Sequence, residues 1–292
     1  MIKYIKRKDL EVEKYDACIE NSLQSKVYAF SWYLDIVAEN WDVLVLDDYK
    51  AVMPIPWNRK YFIKYALQSF FCQQIGIYSG KKQLKQSSVN LFFQKIPKSI
   101  LFLNLNVNVG LSSSTKKTNY ELDLEQDYNQ IYKNYRKDRI KSLKKASLAE
   151  LYFQDFDNQV QLIDLYKEVF GYVQHSEKYF NTIKQVMDFC LQNDLGFVRN
   201  VFYRENLVCV GFFIQYQSRI YYLFSASSKL GKQYGATTFL IDSVIKEYSM
   251  EKIVFDFEGS SIPNVASFYK SFGSVKTTYY NYQTHAIKRI FF

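Results

Sequence analysis

Residues 254–273 read VFDFEGSSIPNVASFYKSFG, and two carboxylates, Asp256 and Glu258, stand where its apolar run ends. Side chains along a strand alternate between faces, so these two acids point one way and Phe255 and Phe257 the other. Two acids on one face of a core strand cannot both be comfortably buried, which places one of them at the strand tip. A carboxylate there can serve as a general base, a service typically worth about 10²–10⁴-fold. Gly259, next along, lets backbone and substrate approach closely. The same residues also describe an ordinary strand end whose acids hold salt-bridge partners. On the residues alone, both readings stand.

A second candidate is Arg139. The spacing predicts one helix over 125–149, with Tyr128, Ile131, Tyr132, Tyr135, Leu143 and Ala146 on a single apolar stripe. Lys133, Lys137, Lys141 and Lys144 fall on the opposite, solvated face. Arg139 projects near the centre of the apolar stripe, where an unpaired guanidinium is costly. It therefore requires a carboxylate partner in the core or a ligand anion. Other chemistry is sparse. Cys18, Cys72, Cys190 and Cys209 form no C-x-x-C pair and read as reduced core residues. His175 and His285 supply no histidine-based metal site, and no Ser-His-Asp order is evident.

The elements that must position these residues follow from pattern and length. The 292-residue chain suits two domains, and the polar punctuation GLSSSTKKT divides it into 1–118 and 119–292. In the second domain the predicted helix is followed by the strand LYFQDF, two helices and a three-stranded meander with a turn at Glu205 and Asn206. Then come a helix after Gly235, the strand KIVFDFEGS and a helix capped by Ser260 or Ser261, with Pro263 in its first turn and Gly273 as its stop. VKTTYYNYQ and AIKRIFF close the chain as strands. The first domain opens with helical signals at YDACIENSL and SWYLDIVAEN and shows the same order of elements up to SILFLNLNVNV. The expected class is mixed α/β (α+β), each domain a mainly antiparallel twisted sheet flanked by helices. With 38 basic residues against 29 acidic, the net charge of +9 attracts polyanions such as nucleic acid, anionic lipid or a phosphate-rich cofactor, without choosing among them. The opening MIKYIKRKDLEVEKYD lacks the apolar core of a signal peptide, and no apolar run is long enough to span a bilayer, so a cytoplasmic location is expected.

This order of elements resembles the GCN5-related N-acetyltransferase (GNAT) fold. Two such domains in tandem resemble the Fem-type peptidoglycan-bridge aminoacyltransferases and an uncharacterised acyltransferase-like group of the Bacteroidetes. Three stretches carry the likeness: TNYELDLEQDYNQIYKNYRKDRIKSLKKA, LGKQYGATTFLIDSVI and FDFEGSSIPNVASFYKSFG. All lie in the second domain, and the first is matched by architecture only. The resemblance implies an N-acyltransferase that moves an acyl or aminoacyl group from acyl-CoA or aminoacyl-tRNA to an amine acceptor, such as a peptide or cell-envelope precursor, without a metal. It implies that IYYLFSASS and KIVFDFEGS splay apart and hold the donor in their gap. Glu258 would face that gap as the base, Tyr269 would protonate the leaving group, and backbone N–H groups around Phe224, Ser225 and Ser227 would polarise the carbonyl. The phosphate loop corresponds to 232–237, setting Lys232, Gly235 and Ala236 against a cofactor phosphate. Lys232 and Thr237 depart from the Q/R-x-x-G-x-G/A pattern at its first and last positions. Arg139, Asp256, Ser260 and Asn264 would contact substrate. The alternative is a non-catalytic binding protein, for tRNA or an envelope-biosynthesis partner, marked by a basic patch and a gap filled with side chains.

Overall fold

The computed structural model describes residues 1–60, 62–80, 84–96, 100–106, 114–154, 159–170, 176–259 and 261–283. AIKRIFF, His175, His285, Ser260 and the residues 110–113 of the polar punctuation lie outside the described residues. The chain forms two compact units: Met1–Lys117 together with the segment from Thr278 onward, and Thr118–Thr277.

The first unit contains β1 (Ile2–Lys6), α1 (Val12–Glu20), α2 (Ser31–Val37), β2 (Trp41–Leu46), β3 (Ala51–Lys60), β4 (Ile63–Leu67), β5 (Tyr78–Ser79), α3 (Gln86–Lys95) and β6 (Ile100–Leu105). β2, WDVLVL, is buried along nearly its whole length, as its continuous apolar run demands. Tyr15, Cys18 and Ile19 of α1 recur at helical spacing and face the core. β1 was not anticipated from the sequence: it is a five-residue edge strand with Lys3 and Lys6 exposed, so charge masks its period.

The second unit contains β7 (Ser114–Asp123), α4 (Tyr128–Lys133), α5 (Lys137–Leu148), β8 (Tyr152–Phe153), α6 (Gln159–Phe170), α7 (Glu177–Gln192), β9 (Gly196–Tyr203), β10 (Asn206–Tyr216), β11 (Arg219–Ser227), α8 (Lys229–Tyr234), α9 (Ala236–Glu247), β12 (Val254–Asp256) and α10 (Pro263–Lys270); β13 (Val275–Gln283) follows. Its strand order is β8-β9-β10-β11-β12-β7, and that of the first unit is β1-β2-β3-β4-β6-β13, with β5 beside β3. Strand directions match position by position. Four antiparallel strands lead into a parallel pair, β11 with β12 or β4 with β6, and an antiparallel strand closes each sheet. The tandem repeat of architecture is therefore real. Its closing strand comes from before the rest of the second sheet and from after the rest of the first.

α6 and α9 cover opposite faces of the second sheet. Phe212 and Phe224 pack towards Tyr166 of α6, while Gly211, the neighbour of Phe212, faces Leu240 of α9. Leu240, Ile241, Val244 and Ile245 join Phe213, Phe255, Phe257 and Phe272 in one core. A buried carboxylate, Asp242 of α9, accepts hydrogen bonds from Tyr128 (3.0 Å) and Tyr135 (2.9 Å) and so ties the α4–α5 segment to α9.

Three local expectations are corrected. The helix over 125–149 is two helices, α4 and α5, parted at 134–136, where the Arg136 N–H donates to the Ser271 carbonyl at 2.9 Å. The hairpin turn is centred on Arg204 and Glu205, both with positive φ, one residue earlier than read. α10 is capped by Ile262 without a side-chain bond, so Ser261 does not cap it; Pro263 does occupy the first turn.

Candidate functional site

β11 and β12 run in parallel register for only three residue pairs, Arg219 with Val254, Ile220 with Phe255 and Tyr221 with Asp256. β12 then stops, while β11 continues beside β10 to Ser227. A gap opens along 222–227 on the side that β12 has left. The register between β10 and β11 shifts at the same level: Phe213 faces Tyr222 and Phe212 faces Phe224, which leaves Leu223 as the extra residue of a bulge.

The bulge resets the alternation of side chains. Tyr222 and Ser225, three apart, come to share a face, and their hydroxyls hydrogen-bond to each other. Phe224 is turned to the opposite face, 5.4 Å from Tyr166 and 5.5 Å from Phe212 between ring centres, and its N–H, in phase with that of Ser228, points to β10 and not, as expected, into the gap. The Ser228 N–H donates to Val208 of β10 at 3.0 Å. Alternation then turns the N–H groups of Ser225 and Ser227 away from β10, into the gap. The Ser227 hydroxyl donates to the Val208 carbonyl at 3.4 Å.

The two acids of β12 separate as burial requires. Asp256 is fully buried and accepts hydrogen bonds from Asn119 (2.9 Å), Arg219 (3.0 Å) and the Glu258 N–H (3.1 Å). Arg219 is shared with Glu121 at 3.0 Å. Asp256 therefore anchors β7, β11 and β12 to one another below the gap, rather than standing open to a substrate. The Phe257 N–H still bonds to the Tyr120 carbonyl, and its ring lies 4.8 Å from that of Phe255. Glu258 leaves the strand with φ of 62°, an uncommon conformation for its type, and is half-buried.

Tyr269, on α10, is half-buried with its ring 5.0 Å from Phe257 and edge-on to Tyr222 at 6.2 Å. Burial, and then the charge of Glu258, pushes its hydroxyl pKa up, so the group stays protonated and can donate. Ser225 bonds to Tyr222, the Tyr222 ring meets that of Tyr269, and Tyr269 feels the charge of Glu258, so the four residues are neighbours, and Tyr222 is one the sequence reading did not single out. A tyrosine in an unbroken β-forming run carries no local mark of such a role. Asn264 is exposed in the first turn of α10.

The phosphate-loop expectation meets a different local structure. Residues 229–234 are helical, α8, and Gly235 alone turns left-handed (φ 77°) between α8 and α9. A Cβ on Gly235 would lie 2.8 Å from the Ser142 carbonyl oxygen of α5, so the missing side chain makes room for a helix. Lys232 is exposed on α8, and Ala236 is buried at the start of α9. Arg139 donates to Thr238 of α9 at 2.7 Å and to its exposed neighbour Asp138 at 3.3 Å, and lies 4.5 Å over the Phe268 ring. A hydroxyl, a rim carboxylate and a ring stand where the helical projection called for a core carboxylate or a ligand anion, and the buried Nε has no hydrogen-bond partner. Burial lowers the Arg139 pKa.

Among the described residues, no group of three or more His, Cys, Asp or Glu is placed to hold a metal ion. Among them, too, no helix is long and apolar enough to cross a membrane. No family model matches the sequence, and no curated protein matches it either. Solved structures do. FemX superimposes with a TM-score of 0.67 over 99% of this chain and 99% of its own, at 8% identity. A conserved protein of unknown function from Bacteroides thetaiotaomicron VPI-5482 gives 0.61 over 97% and 100%, at 10% identity. The chain has the tandem GNAT fold. A tandem GNAT protein from the clavulanic acid biosynthesis pathway, solved without AcCoA, gives 0.52 over 96% and 98%, at 7% identity. At such identities the likeness is one of fold, and the chemistry must be argued from the gap itself.

Proposed function

We propose that this chain is an N-acyltransferase that moves an acyl or aminoacyl group to an amine acceptor in the gap between β11 and β12. The observation that carries the reading is the parting of these strands just beyond Tyr221 and Asp256, beside the Leu223 bulge. It leaves the Ser225 and Ser227 N–H groups, which point away from β10, facing the space that β12 has left, where they can polarise a carbonyl. Glu258 takes the proton from the attacking amine, and Tyr269, kept protonated by burial, returns one to the leaving group. The acceptor is an amine on a peptide or cell-envelope precursor. Of the two donors, aminoacyl-tRNA is favoured over acyl-CoA by the departure of Lys232 and Thr237 from the phosphate-loop pattern, since Thr237 adds bulk where backbone would approach a pyrophosphate.

Thermal stability with CoA, acetyl-CoA, long-chain acyl-CoA and aminoacyl-tRNA tests the donor, since a ligand at 100 times its Kd adds about 2.7 kcal/mol. With the donor in hand, Glu258→Gln should lower transfer by about 10²–10⁴-fold at unchanged stability. No stabilisation by any donor would sink the proposal. The rings of Tyr222, Phe257 and Tyr269 packed beside the gap favour one rival, a binding protein without chemistry. Donor binding with no product from any amine would select it.

A further inference from the structure

The positive charge of the chain is not evenly spread. Residues 49–117 contain eleven Lys or Arg and no Asp or Glu, which leaves 27 basic and 29 acidic residues elsewhere. The whole excess therefore sits in one acid-free stretch of the first unit. Within that stretch β3 and β4 form a hairpin, pairing Trp57 with Ala66 and Lys60 with Ile63. At its tip Phe62 is 97% exposed, Ile63 is 39% exposed, and Arg59 is exposed beside them.

Folding does not account for Phe62. Its φ of 67° is unfavourable for a bulky side chain, and its ring gains no burial in return. Behind the tip, Lys64 lies 3.8 Å over the Trp57 ring and 5.1 Å over the Tyr4 ring while bonding to Asp42 at 2.6 Å. Amphipathic rings and long cationic side chains behind an apolar tip suit the boundary between headgroups and acyl chains.

We propose that the β3–β4 hairpin docks the first unit on an anionic lipid surface. Phe62 and Ile63 enter the headgroup–acyl boundary, and Arg59 beside them faces the lipid phosphates. Lipid is favoured over nucleic acid because Ile63 is aliphatic and offers no face on which a base can stack.

The test is co-sedimentation of the full chain with vesicles of phosphatidylcholine alone, or of phosphatidylcholine with phosphatidylglycerol, with a single-stranded RNA oligonucleotide as competitor. Binding to the anionic vesicles only, released by salt, is expected. Arg59→Ala should weaken it by about fivefold, the worth of one cation near an anionic leaflet. Phe62→Asp should abolish it with the melting temperature unchanged, because the ring touches no core. Equal binding to both vesicles, no binding to either, or a Phe62→Asp variant that binds like the parent would overturn the proposal. RNA binding without vesicle binding would overturn it in favour of a nucleic-acid surface. None of these outcomes depends on acyl transfer.

Discussion

Gly235 separates two accounts of the α8–α9 corner. If it is there to admit a phosphate, adding a methyl group should cost stability only through its left-handed backbone conformation and should otherwise harm donor binding. If it is there to admit α5, the methyl group should cost more than that with no ligand present. The geometry points to the second. At φ 77° an alanine costs about 1–2 kcal/mol in backbone conformation alone. Its Cβ would also lie 2.8 Å from the Ser142 carbonyl oxygen and 3.2 Å from the Ser142 Cβ. The first of these neighbours is helix backbone, which cannot swing aside like a side-chain end, so α5 must shift. Overpacking of this kind adds about 1–3 kcal/mol. Gly235→Ala is therefore expected to cost about 2–5 kcal/mol, a fall in melting temperature of roughly 4–20 °C for a unit of this size. Scanning calorimetry of the ligand-free protein measures it directly. A fall no larger than the backbone conformation alone explains would refute the packing account and return Gly235 to the ligand.

Two further perturbations follow from the polar clusters. Asp256→Ala removes one of the two carboxylates that Arg219 bridges, and should cost about 3 kcal/mol in urea unfolding, the low end for breaking a buried pair because Glu121 remains; a cost under 1 kcal/mol would mean that the network does not hold the strands. Burial raises the Asp242 pKa in the folded state, so the native protein binds that proton more tightly than the unfolded chain. Its contribution therefore favours folding at low pH and is lost as pH rises from about 4, the ordinary carboxyl value, through the raised one. Asp242→Asn should remove that slope, and parallel stability–pH curves for the two proteins would contradict the assignment.

The split between Asp256 and Glu258 was legible in the sequence because it rests on a local rule: two acids two residues apart cannot share a buried face. The apolar stripe of 128–146 was legible too: Ile131, Tyr135 and Ala146 join the core, and Tyr128, Tyr132 and Leu143 pack against it. The break inside it was not, since Tyr132 and Tyr135 keep helical phase across it while the interrupting bond comes from Ser271, far along the chain. The Leu223 bulge left no trace, because Ile220, Tyr221, Tyr222 and Phe224 around it are all good strand formers. Gly235 looked like a loop glycine because its partner, Ser142, is ninety-three residues away and only the fold brings it near. Local rules found the acids; distant partners decided what surrounds them.

The closing strand β13 has a consequence for how the protein is made. Tyr280, Asn281, Tyr282 and Gln283 pair with β6, and the Asn281 amide bonds to Asn104 at 2.8 Å. During synthesis β6 leaves the ribosome long before those partners exist, by roughly 10–35 s at ordinary elongation rates. Until then the first unit waits with an open edge, while the second can mature inside the interruption. Released chains that end at residue 277 should thus carry a finished second unit and a first unit with an open edge.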